Sequence, residues 1–363
     1  MDRNSSAKDG GSDDTATQTR WIKAAAAVAL LGIAAAAAAS AGIRSRRFMD
    51  ARNRVAFITG GSRGLGLILA RKLAAAGARV ALLARDAGGL ERARVAILQT
   101  TGAAPEHVLV LAADITDREQ LESAIREAAE RLGPIDILIN NAGVIEVGPM
   151  DTMTEADYKE ALAVHFWAPY FAAQAVLPSM RARETGRIVN IASIGGKVSV
   201  PHLLPYSTSK FALVGFSEGL RSELLSEGVY VTTVCPGLIR TGSPRNASFK
   251  GQHEKEYTWF ALSDSLPGVS MSADRAADQI LDAMRYGDAE IVTSLPAQAI
   301  AALHGVFPGF VTDALGVVNR FLPDAGEAGP EKHRGSESET PLTRSALTAL
   351  TRKAESRNNQ GPA

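Results

Sequence analysis

The chain has 363 residues, of which 46% are hydrophobic and 21% charged, and its 39 Lys and Arg balance 39 Asp and Glu. That composition excludes a disordered chain and gives no general pull toward nucleic acid. The single cysteine, Cys235, excludes an internal disulfide framework and a Cys-rich zinc site. No metal site is suggested. Length alone predicts roughly two domains of about 150 residues each.

Residues 1–23 read as a polar, disordered leader. Residues 24–43 carry no charge, and twelve of the twenty are Ala. As a helix that run spans about 30 Å, one hydrocarbon thickness. Five Arg follow between Arg44 and Arg54, against Asp50 alone. The flanks favour a membrane anchor with the main domain on the cytoplasmic side. A cleaved signal peptide and an Ala-rich soluble helix are the rival readings.

From residue 52 to 295 short apolar runs alternate with helical stretches. The runs are 55–59, 80–84, 108–112, 137–139, 188–192, 229–234 and 290–294. Leu65–Ala76, Glu119–Leu132 and Tyr206–Ser226 read as helices between them. The alternation predicts one α/β domain, a Rossmann-type doubly wound parallel sheet of about seven strands. Gly77, Gly133, Gly186 and Gly228 fall where helix ends need a left-handed cap. Residues 296–323 form an apolar extension that Pro308-Gly309 breaks into two short helices. These helices either pack on the core or form a lid or membrane-facing patch. Residues 324–363 are a polar tail, in part flexible, with a helix-like stretch at Leu342–Lys353.

Directly after the first strand stands Gly60-Gly61-Ser62-Arg63-Gly64-Leu65-Gly66, opening a helix. Such glycines permit a tight turn and let backbone N–H groups approach a pyrophosphate. Further on, Tyr206 and Lys210 lie four apart and share a helix face, and Ser193 lies thirteen residues before Tyr206. A phenol titrates near 10, and a nearby ammonium favours phenolate and lowers that value.

Together these segments resemble the short-chain dehydrogenase/reductase family over residues 52–295. The resemblance implies an NAD(P)-dependent oxidoreductase that interconverts an alcohol and a ketone or aldehyde. Tyr206 is then the general acid/base, Ser193 orients the reacting oxygen, and Lys210 tunes the phenol and binds the nicotinamide ribose. The Gly turn, Gly60 to Gly66 with Ser62, Arg63, Gly64 and Leu65, holds the phosphates. Asp114 and Ile115 contact the adenine. Asn140, Asn141, Ala142 and Gly143 match the family's NNAG element, and Asn141, Ala142 and Gly143 line the cleft. Pro236, Gly237, Ile239 and Thr241 stand beside the nicotinamide.

At the end of the second strand, Ala84 occupies the place where an acidic residue would select NAD. Arg85 and Arg63 suit a 2′-phosphate, so NADP(H) is favoured over NAD(H). His165 stands where the family usually has an Asn that helps relay protons to the Lys. It is either a relay residue or a packed helix histidine. Residues 243–272, with Phe249, Tyr257, Trp259, Phe260 and Leu262, cover the substrate in this fold. Their aromatic content suits a lipophilic substrate, though the same residues could dock the loop. The family often forms dimers or tetramers. The rival function is a non-catalytic, nucleotide-binding sensor or scaffold at a membrane.

Overall fold

The computed structural model describes residues 40–360 except 267, 269, 327, 328, 346 and 347. The chain divides into two compact units, Met1–Phe48 and Met49–Ala363. In the first, residues 40–46 are helical. The leader and most of the apolar run 24–43 lie outside the described residues. Among the described residues, no helix is long and apolar enough to cross a membrane.

The second unit is built on seven parallel strands: β1 (Val55–Thr59), β2 (Arg79–Ala84), β3 (Val108–Ala112), β4 (Ile137–Asn140), β5 (Gly186–Ile191), β6 (Val229–Cys235) and β7 (Glu290–Val292). Their order across the sheet is β7-β6-β5-β4-β1-β2-β3. Ala56 of β1 sits beside Val80 of β2 on one side and Ile137 of β4 on the other. Successive side chains point to opposite faces. Ala56 and Ile58 enter one cluster with Leu73, Leu90 and Ile280, while Val55 and Phe57 enter the other with Leu121, Ala172 and Val176. Helices on both faces explain why all five β1 residues are apolar or buried. Each fully buried large side chain contributes about 1.5–3 kcal/mol.

The helices of the two layers are α1 (Gly64–Ala75), α2 (Ala87–Thr101), α3 (Arg118–Leu132), α4 (Glu155–Leu162), α5 (Ala168–Ala182), α6 (Leu204–Leu224), α7 (His253–Ser265) and α8 (Ala273–Tyr286). A π-helical turn, Ala163–Trp167, joins α4 to α5. Pro169 has no N–H to offer the carbonyl four residues back, and the ladder steps to a wider bond from Ala168 N to Ala163 O. Strand order reverses between β1 and β4, which opens the crevice where this fold takes ligands.

Gly77, Gly133 and Gly228 have positive φ, as the helix-end reading requires, but Gly186 does not. Gly186 opens β5, where a Cβ would meet Met180 Sδ at 2.5 Å; the left-handed turn falls on Glu184 at φ 49°. Its glycine answers to close packing, not to a cap.

The apolar extension forms α9 (Leu295–Val306) and α10 (Pro308–Asn319). Ala297 and Val311 are buried, but Leu295, Val306, Phe307, Phe310 and Phe321 are exposed. In the polar tail the helix is displaced, to α11 (Ala349–Arg357). Thr340, Thr343 and Thr348 bond locally through their hydroxyls, which holds the preceding segment in turns. The tail is also docked. His333 and Arg334 pair antiparallel with Phe249 and Ser248, and Thr351 bonds Ser265 at 2.7 Å.

Candidate active site

Three carboxyl-end segments build the cleft: the turn after β1, the loop after β4 and the segment after β5. The turn is fixed from below. Thr59 Oγ1 accepts from the Asn141 and Ala142 amides, and Asn141 Nδ2 donates to the Thr59 and Gly60 carbonyls. Gly60 lies at φ 67°, and a Cβ on Gly66 would come within 2.3 Å of the Gly60 carbonyl. The turn can therefore adopt this tight path only with glycine at these places.

Helix α1 begins directly after it. Its N-cap residue, Arg63, makes no side-chain cap, and its first turn holds no acidic residue. The N–H groups of a helix start and the helix dipole favour an anion there. Loss of water and the charge of Arg85 lower the Arg63 pKa, with Asp86 opposing. Two arginines close together at the rim suit a further phosphate. Arg85 is exposed and 3.9 Å from Asp114, while Arg63 donates to Asn246 Oδ1. The glycine cradle, the helix start without a side-chain cap and the paired cations thus fit a dinucleotide.

Asp114 caps its own turn through Thr116, and Ile115 is buried beside it. On the far side, the Pro236 carbonyl accepts from Ile194 N at 2.7 Å, tying the Pro-Gly turn to the segment carrying Ser193. A Cβ on Gly237 would meet Ser294 Oγ at 2.5 Å. Ile239 pairs with Met271, and Thr241 is buried after it.

Ser193, Tyr206 and Lys210 come together. Ser193 leaves β5 in extended conformation and accepts from Gly195 N at 3.0 Å. Its Oγ and the edge of the Tyr206 ring lie together, 3.4 and 3.2 Å from where a Cβ on Gly195 would be. Lys210 is buried, donates to the Ile191 carbonyl at 2.7 Å, and lies 5.7 Å from the Tyr206 ring centre. The expected lowering of the phenol by the ammonium does not figure among the causes of its shift. Tyr206 is half-buried, and burial pushes its phenol up while Ser193 pulls it down. Burial likewise pushes Lys210 down to about 7. Cys235 is pushed up to about 12 by burial and stays a thiol.

His165 sits on the π turn, 5.5 Å from the Tyr206 ring and edge-on to it. Its Nε2 accepts from Val144 N at 3.1 Å, so the proton is assigned to Nδ1, which donates to Ser209 Oγ at 2.7 Å. Ser209 in turn donates to the Tyr206 carbonyl. Burial, with the Lys210 charge, holds the imidazole well below its ordinary pKa. Both ring nitrogens are engaged by the protein.

Asn190, Ser217, His202 and Glu256 were not singled out from sequence. Asn140 Nδ2 donates to Asn190 Oδ1, and Asn190 Nδ2 to Ser217 Oγ, so a buried polar ladder crosses from β4 through β5 to α6. The signal was an Asn inside an otherwise apolar strand, which needs partners. Glu256 is fully buried and accepts from His202 Nδ1 and Trp259 Nε1, linking α7 to the loop before Tyr206. Three cover aromatics, Phe249, Tyr257 and Phe260, are consumed in packing with Val147 and Leu203; Trp259 and Leu262 stay partly exposed.

A doubly wound sheet, a glycine turn at a helix start and a Ser–Tyr–Lys cluster define a nucleotide-dependent oxidoreductase class. The short chain dehydrogenase family profile matches residues 54–250. The chain is 38% identical over 206 residues to "Dehydrogenase/reductase SDR family protein 7-like" of Anopheles gambiae, covering 56% of this chain and 64% of that protein. It is 34% identical over 218 residues to L-2,3-butanediol dehydrogenase of Corynebacterium glutamicum, covering 57% and 83%. A metagenomic short-chain oxidoreductase solved in complex with NADP matches with a TM-score of 0.54 and 29% identity, covering 67% of this chain and 97% of that one. The chain belongs to the short-chain dehydrogenase/reductase family. It is an oxidoreductase of a family that binds NAD or NADP and acts on alcohol and carbonyl groups.

Proposed function

We propose that the chain is an NADP(H)-dependent oxidoreductase interconverting a lipophilic alcohol and its ketone or aldehyde, with Tyr206 moving the proton. The observation that carries this is the gathering of Ser193 Oγ and the Tyr206 ring around Gly195, beside buried Lys210. The bound nicotinamide supplies or accepts the hydride. In reduction, Tyr206 holds its proton at neutral pH and gives it to the substrate oxygen; in oxidation it takes one back. Ser193 donates to the same oxygen and fixes its direction. Lys210, poised near 7, supplies the charge that draws the phenol toward phenolate and donates to the ribose. His165 positions rather than relays, holding Val144 and Ser209 around the cluster.

Arg63 and Arg85, with Ala84 in place of an acidic residue, support NADP(H) over NAD(H). Partly exposed Trp259 and Leu262 on α7, and Ile145 and Val200 near Tyr206, support an apolar substrate. Exposed Trp167 and Phe211 on neighbouring elements support a homo-oligomer. The uncharged run 24–43 and the Arg cluster after it support anchorage to a membrane, with the catalytic domain facing the cytoplasm. The exposed apolar side chains of α9 and α10 add to that reading.

NADPH oxidation against ketones and aldehydes of graded lipophilicity tests the activity and substrate class. The expected result is kcat/KM rising with lipophilicity; no turnover of any carbonyl, with nucleotide still bound, favours the sensor reading. Fractionation tests the anchor. Full-length protein pellets with membranes and a chain starting at Arg52 is released; a soluble full-length protein contradicts the anchor.

A further inference from the structure

The end of the polar tail lies on the Gly-rich turn. Gly64 N donates to the Asn358 carbonyl at 2.8 Å. Asn359 Nδ2 donates to the Ser62 carbonyl at 2.8 Å and to the Gly89 carbonyl at 3.2 Å, while its Oδ1 accepts from Arg92. Asn358 Nδ2 reaches the Thr241 carbonyl. Gln360 Oε1 accepts from Asn246 Nδ2 at 2.7 Å, and its Nε2 stands 2.7 Å from where a Cβ on Gly64 would be. Asn358 and Gln360 are 3% and 6% exposed, values of a core and not of a loose end. Asn359 adopts φ 56°, a left-handed conformation that Asn tolerates.

A strap leads to this contact. Thr351 bonds Ser265, Arg245 pairs with Glu339 at 2.8 Å, and Gln360 N donates to the Glu355 carbonyl. The segment therefore spans from the substrate cover to the nucleotide turn.

We propose that Asn358–Gln360 form an autoinhibitory latch that competes with the dinucleotide for the Gly-rich turn. This rests on the nucleotide reading above. The Gly64 amide is one of the N–H groups at the start of α1 that an anion would use, and here it is given to a neutral carbonyl. Thr241, close to Gly64, is engaged by Asn358 as well. A phosphate oxygen carries charge and makes stronger hydrogen bonds than a peptide carbonyl, so sufficient nucleotide displaces the latch. Until then the binding-competent fraction is small, and the apparent dissociation constant is raised by the inverse of that fraction. Partners or modifications that pull on the strap would open the site.

The test measures NADPH and NADH dissociation constants by fluorescence titration for three proteins. They are the full chain, the chain ended after Arg357, and the full chain with Asn359→Ala and Gln360→Ala together. The double variant keeps every backbone element of the tail. Both altered proteins are expected to bind NADPH about tenfold or more tightly. In the full chain, saturating NADPH is expected to speed hydrogen exchange at the Gln360 amide. Equal or weaker binding by both altered proteins, or slower exchange in the tail, overturns the latch while leaving nucleotide binding intact. Failure of all three proteins to bind either nucleotide overturns the nucleotide reading itself, and the latch with it.

Discussion

His165 Nδ1 and Ser209 Oγ lie 2.7 Å apart, while Nε2 of the same ring holds the Val144 amide. One imidazole thus joins the loop after β4, the π turn and α6. Removing it leaves a buried N–H and a hydroxyl to find new partners, which costs about 1–3 kcal/mol for each unsatisfied group. His165→Ala is expected to lower the unfolding free energy by about 2–4 kcal/mol in urea titrations. The folded pKa lies below the unfolded 6.5, so this contribution is present above pH 6.5 and is lost as pH falls below it. His165→Gln is expected to weaken that acid dependence; an unchanged pH profile contradicts the neutral, buried assignment.

Lys210 is held at about 7, and its ammonium is the charge proposed to act on Tyr206. The protonated form is lost as pH rises through that value. Carbonyl reduction is therefore expected to show kcat/KM falling above about pH 7, with a slope near tenfold per pH unit. A flat profile from pH 6 to 9 would remove Lys210 as the tuning group.

Asp264 is buried under α11 and accepts from Thr351 Oγ1. Burial pushes its carboxyl up to about 7 from the ordinary 3.8. Here the folded value exceeds the unfolded one. The stabilisation is complete below pH 3.8 and is lost as pH rises through about 7. Asp264→Asn mimics the protonated form and is expected to stabilise the protein at pH 8, by at most about 4 kcal/mol. Thermal melts at pH 5 and pH 8 check this: the gain must be larger at pH 8.

Arg63 feels the charge of Arg85 at the nucleotide rim. Arg85→Asp replaces an attraction for a 2′-phosphate by a repulsion. NADPH affinity is expected to fall roughly 10- to 100-fold, the worth of a charge-assisted hydrogen bond. NADH affinity is expected to change little. Equal losses for both nucleotides would mean that Arg85 does not read the phosphate.

The sheet was legible because each strand is a short apolar run flanked by helices of a different period, and Val55–Thr59 shows it most plainly. The glycine turn and the Ser193, Tyr206 and Lys210 spacing were legible because local chemistry fixes those residue types. Gly186 was misread because packing against Met180 and a left-handed cap leave the same letter. His165 could not be resolved, since its two bonds run to residues 21 and 44 positions away. The docked tail left no apolar signature. Asn358 and Asn359 bond backbone nearly 300 residues earlier and Gln360 bonds Asn246, 114 residues earlier, and a polar sequence looks the same bound or free.

The most direct test of the proposed chemistry is Tyr206→Phe, with NADPH binding and turnover measured on the same preparation. The account predicts an unchanged NADPH dissociation constant and kcat lowered about 10²- to 10⁴-fold on any carbonyl the wild-type protein reduces. Turnover at the wild-type rate would contradict it.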